Sequence, residues 1–212
     1  KFKCLNISSM ARKLSSLLRP VNLVAVLNRC DWCGNDSLYQ NYHDHEWGVP
    51  VLNDHLLFEM LLLEGAQAGL NWLVILRKRE HYRQVFDDFN PNKIAIYNEQ
   101  KINRLKNDAG IVRHTLKIRS AVSNAQCYLA LCHQKNSFSD YLWEFVGGET
   151  VQNNWLKVAD IPTTTPIAKA LSKDLKQRGF SFVGPTIIYA FMQATGMVND
   201  HLTSCHCHPS NG

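Results

Sequence analysis

Cysteine and histidine crowd the two ends of one long stretch of this chain, and a single metal can use both groups only if the fold brings those ends together. Cys30, Cys33, His43 and His45 lie at one end; His201, Cys205, His206, Cys207 and His208 lie at the other. Zinc takes Cys and His in tetrahedral sets of four. One ion held between the two groups would tie the ends to each other and contribute on the order of 10 kcal/mol to folding. Spacing leaves the set of four open, since Cys30, Cys33, Cys205 and Cys207 can be drawn as readily as a mixed set. The bland alternative is a collection of unligated surface residues. The chain has seven cysteines, and their histidine neighbours favour metal over disulfides.

A chain of 212 residues can bury a full core without any such tie. The formal charge of +5 invites a nucleic-acid reading, but Lys1, Lys3, Arg12, Lys13, Arg19 and Arg29 all precede Cys30, with no acid among them. Removing these six from the 23 basic residues leaves 17 against 18 acidic ones. Net charge therefore gives the remainder no general attraction to DNA, and any attraction has to be local. Residues 1–28, basic, serine-containing and acid-free, read either as a transit peptide with an internal Met10 or as a disordered tail. Residues 29–212 read as one domain. The apolar runs over 56–63 and 23–27 fall well short of the ~20 residues a bilayer span needs, so a soluble protein is expected.

Residues 54–67 are apolar nearly all round, from Leu56 to Leu63, as a buried helix is. Asn71 caps a second helix, because Trp72, Ile75, Leu76, Tyr82 and Phe86 keep a helical period while Arg77, Lys78 and Arg79 cluster in one turn. Asn90 and Pro91 start another turn or helix. Amphipathic segments follow over about 99–106, 114–132, 139–146 and 165–178. Alternating β-branched runs bounded by hairpin turns are nearly absent. The expected fold class is all-α.

Glu64 is the most informative single residue: it ends the run Met60-Leu61-Leu62-Leu63 and has Gly65, Ala66, Ala68 and Gly69 around it. A carboxylate there is expected to be partly buried, with small neighbours leaving room for a ligand, and a buried carboxylate calls for a positive partner. Trp32, Tyr39, Tyr42, Trp47 and Trp72 flank it in sequence, and electron-rich rings attract cations. Most aromatics are simply core, and a Glu at a helix end can equally turn to solvent. Further on, Gly179-Phe180-Ser181-Phe182-Val183-Gly184-Pro185-Thr186 precedes an apolar helix over 187–194. Such a turn can hold a phosphate on backbone N–H groups at a helix N-terminus, or be an ordinary helix–helix turn. Lys169, Lys173 and Lys176 give the preceding helix one basic face.

Together, Arg29-Cys30-Asp31-Trp32, the run Tyr42-His43-Asp44-His45-Glu46-Trp47-Gly48-Val49-Pro50, residues 63–72, and Val198-Asn199-Asp200-His201 with Cys205 resemble the zinc-containing 3-methyladenine DNA glycosylase I family over roughly residues 29–209. The resemblance implies a helix-hairpin-helix DNA glycosylase fold in which one structural zinc, on Cys30, His43, His201 and Cys205, joins the two ends of the domain. Cys33 and Cys207 are then bystanders. It implies Glu64 as the residue reading the edge of the methylated base, Tyr42 and Trp72 as the rings against it, and Trp32, Tyr39 and Trp47 as weaker members of the same wall. Val183, Gly184, Thr186 and Lys176 fall on the DNA-contacting hairpin. Thr186 stands where lyase-active relatives carry a lysine, and Asn199 where many carry a catalytic aspartate. The implied activity is monofunctional base excision from double-stranded DNA with alkylated bases, by a monomer, in the cytoplasm of a bacterium or in a eukaryotic nucleus or organelle.

Two other readings stand beside it. A zinc hydrolase or nucleobase deaminase could use His43-Asp44-His45-Glu46, but deaminases need His-x-Glu and a later Pro-Cys-x-x-Cys, and neither spacing occurs. A zinc-stapled module that binds DNA without chemistry would release no free base.

Overall fold

The structure, a computed structural model, describes residues 27–211, so the basic extension expected over 1–28 lies almost wholly outside the described residues. Helix α1 (Ser37–His45) starts at Asp36, whose carboxylate accepts the N–H groups of Leu38 and Tyr39. Helix α2 (Asp54–Gln67) is capped by Asn53 and helix α3 (Trp72–Val85) by Asn71. The short α4 (Pro91–Ile94) starts at Asn90, whose side chain takes two N–H groups while Pro91, which has none to offer, opens the first turn. Then come α5 (Glu99–Asn107), α6 (Thr115–Gln134) and α7 (Phe138–Trp143), the last running into a 3-10 turn over Glu144–Val146. Helices α8 (Pro166–Gln177) and α9 (Pro185–Ala194) close the set.

Helix α2 is the axis of the molecule. It packs against α3, α6, α7 and α9, which is why its sequence is apolar on nearly every side. Leu57, Phe58, Leu61 and Leu63 are fully buried. Asp54 at its first turn also accepts the N–H groups of Phe138 and Ser139, so one carboxylate starts α2 and anchors α7.

The all-α expectation holds as far as a mostly helical fold, with one departure, a parallel pair of two-residue strands, β1 (Val151–Gln152) and β2 (Val198–Asn199), with Val151 opposite Val198. Strands this short leave no alternating pattern to read. The pair matters for position, because Asn199, Asp200 and His201 leave β2 directly into the interior, where all three are buried. At the chain ends, His206 N–H donates to Asn28 O at 2.8 Å, drawing the two cysteine- and histidine-bearing segments together.

Candidate active site and metal centre

Helix α1 has a one-residue division of labour. Tyr42 and His43 are neighbours and both buried, yet Tyr42 lines a cleft while His43 turns to the opposite side. There it meets Cys30, His201 and Cys205. One ligand atom from each of these four buried residues lies within 4.8 Å of all the others. Cys205 Sγ is 3.5 Å from both His43 Nε2 and His201 Nδ1, and Cys30 Sγ is 3.8 Å from His201 Nδ1. Tetrahedral zinc, with bonds of ~2.3 Å to sulfur and ~2.0 Å to nitrogen, would place sulfur and nitrogen ~3.5 Å apart.

The surroundings prepare the same four for a cation. His201 Nε2 faces Trp47 O at 3.0 Å, and a carbonyl only accepts, so that nitrogen carries the proton and Nδ1 turns a lone pair to the cluster. His43 is oriented likewise by Asp44, 2.8 Å from its Nδ1. Arg29 grips Asp44 with two nitrogens, and against the burial that would raise it, Arg29 and His43 hold the Asp44 carboxyl down to about 2. Both sulfurs receive backbone N–H groups, Cys30 from Leu202 and Cys205 from Cys207, each at 3.4 Å. Ligands with their outer atoms satisfied in this way characterise metal sites, so the donor set fits a metal.

The other candidates fall outside this set. The Cys33 thiol donates to Cys30 O at 3.2 Å and joins no such cluster. His45 is exposed and bonded to Asn41 O, while His208 lies against Asn153 O and Ser210. Cys207 and His206 sit on the rim, within reach of Asp44 and Cys205.

On the opposite side of the same aromatic wall is a cleft of about 350 Å³. All six residues expected at a base pocket line it: Trp32, Tyr39, Tyr42, Trp47, Glu64 and Trp72. Trp32 lies 4.9 Å, centroid to centroid, from both Tyr39 and Trp47, edge to face. Tyr42 and Trp72 are 5.5 Å apart and tilted by 49°, too close and too oblique to admit a ring between them. A flat ligand would have to lie against this pair and not between its rings.

Glu64 is 3% exposed, and its Oε2 has no hydrogen-bond partner among the described residues. Trp32 Nε1 and Trp72 Nε1 are buried without partners too. Buried polar atoms are nearly always paired, because leaving one unpaired costs about 1–3 kcal/mol. Two donors and one acceptor left open around one cleft mark it as a place for a ligand with complementary atoms. Burial raises the Glu64 carboxyl to about 8. Burial therefore favours the neutral carboxyl over the carboxylate near neutral pH.

Gly65 serves a different purpose from the room for a ligand expected of the small residues around Glu64. A Cβ on Gly65 would meet Phe182 Cβ at 3.2 Å, so the glycine admits the 178–184 turn onto α2 instead of leaving space for a ligand. Asn124 clamps that turn, exchanging hydrogen bonds with both backbone groups of Ser181 at 2.8 and 2.9 Å. Val183 is buried and its carbonyl accepts from Ser172 Oγ, so only its backbone remains for an outside contact. Gly184 is the N-cap of α9 and has no side chain to satisfy the first N–H groups. Lys169, Lys173 and Lys176 line a shallow groove beside Pro185, and the exposed Thr186 also borders the cleft.

Several lining residues escaped the sequence reading. Tyr189 and Gln193 continue from Thr186 along one face of α9, and Val158, Ile161, Pro162 and Thr163 line the cleft from the segment before α8. The polar stripe at 186, 189 and 193 on an otherwise apolar helix was the signal available. Asn199 does not line the cleft; its Oδ1 accepts the N–H of His201.

A family model described as methyladenine glycosylase matches residues 32–208. DNA-3-methyladenine glycosylase 1 of Escherichia coli (strain K12) is 48% identical over 185 residues, covering 87% of this chain and 99% of that protein. A crystal structure of 3-methyladenine DNA glycosylase I superposes with a TM-score of 0.84 at 50% identity, covering 86% of this chain and 100% of the other. A structure of the Staphylococcus aureus 3-methyladenine DNA glycosylase I, solved to explain its recognition of 3-methyladenine, superposes at 0.83 with 41% identity, over 86% of this chain and 97% of its own.

Proposed function

The chain belongs to the methyladenine glycosylase family, and on that premise we propose that its cleft receives 3-methyladenine flipped out of double-stranded DNA and releases it by hydrolysis of the N-glycosidic bond. The observation that carries this reading is Glu64, a carboxyl buried beside unpaired indole N–H groups and electron-rich rings. An N3-methylated adenine in DNA is already a cation, so its glycosidic bond breaks to leave a neutral base with no prior protonation. The residues have only to bind and orient it. Trp72 and Tyr42 take one face of the base, and Glu64 reads its hydrogen-bonding edge.

Charge separates lesion from normal base. A cationic purine gives the Glu64 carboxyl a reason to release its proton and form an ion pair, whereas neutral adenine leaves it protonated and gains no such pair. Water attacks C1′ as oxocarbenium character develops. Thr186 supplies no amine, so no Schiff base forms and the strand is left uncut. The segment from α8 through Gly184 to α9 acts as a helix-hairpin-helix, with backbone N–H groups at the start of α9 and Lys176 holding the phosphates of a single enzyme molecule's DNA.

Cys30, His43, His201 and Cys205 would hold one structural zinc, which supplies a cross-link between the two ends of the domain. With four protein ligands its tetrahedron is full, so it serves the fold. Chromatography of bases liberated from methylated duplex DNA tests the activity: 3-methyladenine is expected, and none would leave a module that only binds. Glu64→Gln is expected to slow release ~100-fold with the circular dichroism spectrum unchanged. Unaltered single-turnover kinetics would remove Glu64 from the reaction.

A further inference from the structure

Asp200 is fully buried one residue after β2, and the reading above gives it nothing to do. Its Oδ1 accepts Asn153 Nδ2 and Trp155 Nε1, both at 2.7 Å. Its Oδ2 accepts Tyr189 Oη at 2.6 Å and Gln193 Nε2 at 2.7 Å. Four donors fill the acceptor sites of one carboxylate. Two of those donors, Tyr189 and Gln193, form the α9 wall of the cleft.

A carboxylate accepts and does not donate, so this arrangement fixes more than position. Gln193 has to turn its Nε2 to Asp200, which leaves its Oε1 as the end free for other contacts. Tyr189 has spent its single proton in the same way, leaving oxygen lone pairs. Among the described residues no lysine or arginine lines the cleft. We propose that Asp200 is a positioning residue that sets the polarity of the α9 wall: by taking the protons of Tyr189 and Gln193, it leaves only their acceptor oxygens for a bound base, adding to Glu64 a second source of preference for a positively charged purine. The proposal rests on the base-binding reading of the cleft and extends it from one carboxyl to a wall. Asparagine at 200 would set an NH2 against one pair of the four donors, and Gln193 can answer by flipping its amide, which presents a donor where a cation needs an acceptor.

The test is a pair of affinities measured on the full chain by quenching of tryptophan fluorescence. The probes are the permanently cationic 3,9-dimethyladeninium and neutral 9-methyladenine. The unsubstituted protein is expected to favour the cation. Asp200→Asn is expected to reduce the cation-to-neutral ratio about 10-fold, as the loss of charge-oriented hydrogen bonds does. Gln193→Met keeps Asp200 and three of its donors but deletes the acceptor, and is expected to reduce the ratio several-fold; it decides the matter if Asp200→Asn does not fold. Both variants keeping the original ratio, including the case where both affinities fall together, would reduce Asp200 to a packing role and overturn the proposal. An unsubstituted protein with no preference for the cation would overturn the charge reading of the cleft itself and this proposal with it.

Discussion

The metal centre and the cleft lie back to back across one aromatic wall and treat their buried polar atoms in opposite ways. Trp47 belongs to both: its carbonyl fixes His201, its ring packs 4.7 Å from the His201 ring, and it lines the cleft. Trp32 likewise packs 5.2 Å from His43 on one side and borders the cleft on the other. At the centre, each histidine has its outer nitrogen engaged and each sulfur receives an N–H. In the cleft, Glu64 Oε2 and two indole N–H groups have no partner. Equal burial thus serves two ends. A satisfied cluster is a rigid tie, whereas an unsatisfied one is unfavourable energy held ready for a ligand.

The strongest way to break this contrast is at the tie. Cys205→Ser is expected to abolish stoichiometric zinc in a metal assay and to lower stability by up to on the order of 10 kcal/mol. Cys33→Ser, outside the cluster, should retain the metal. The reverse pattern would overturn the ligand assignment.

Next in size is the energy held by Glu64. Its folded carboxyl sits at about 8 against an ordinary 4.5. Between those values the folded chain binds the extra proton, so stability is greatest below about pH 4.5, as far as this group is concerned, and falls as pH rises toward 8. The whole fall is on the order of 5 kcal/mol. Glu64→Gln is expected to remove it and to be the more stable protein at pH 8.5 by denaturant titration. Parallel curves for the two proteins would show a carboxyl that water reaches.

Asp44→Asn sharpens the comparison from the outer shell of the centre. Losing the charge that orients His43 should weaken metal binding about 10–100-fold in competition with a chelator. An unchanged affinity would mean the His43 ring is held by packing alone. The smallest expected effect is that of Gly65→Ala, whose Cβ presses on Phe182. It should cost about 1 kcal/mol and reduce duplex affinity a few-fold, read by fluorescence anisotropy, as the 178–184 turn shifts. Unaltered anisotropy would separate that turn from DNA.

Much of the scaffold was legible because its causes are local. The run over 54–67 is a helix with those same ends, Asn71 caps as expected, a helix starts at Asn90 and Pro91, and the later amphipathic segments coincide with α5 through α8 to within a few residues. Helix α1 was read only as a motif, because its tyrosines and histidines face two different sites and blur the period. Residues of the base pocket were recognisable by type, and the cleft gathers them all. The role given to Gly65 was not, since the side chain it makes room for lies more than a hundred residues away.

What the sequence determined by itself was therefore periodicity, caps and an inventory of unusual residues: an acid after an apolar run, rings around it, nine possible ligands. Spacing left the four ligands open and only the resemblance named them; the tertiary structure alone shows those four converging, Glu64 left without a partner among the described residues, and Asp200 tied to four donors. The physical reason is range. A helix is set by contacts three and four residues apart, but the distance from Cys30 Sγ to His201 Nδ1 spans 171 residues of chain and exists only after every helix between them has packed.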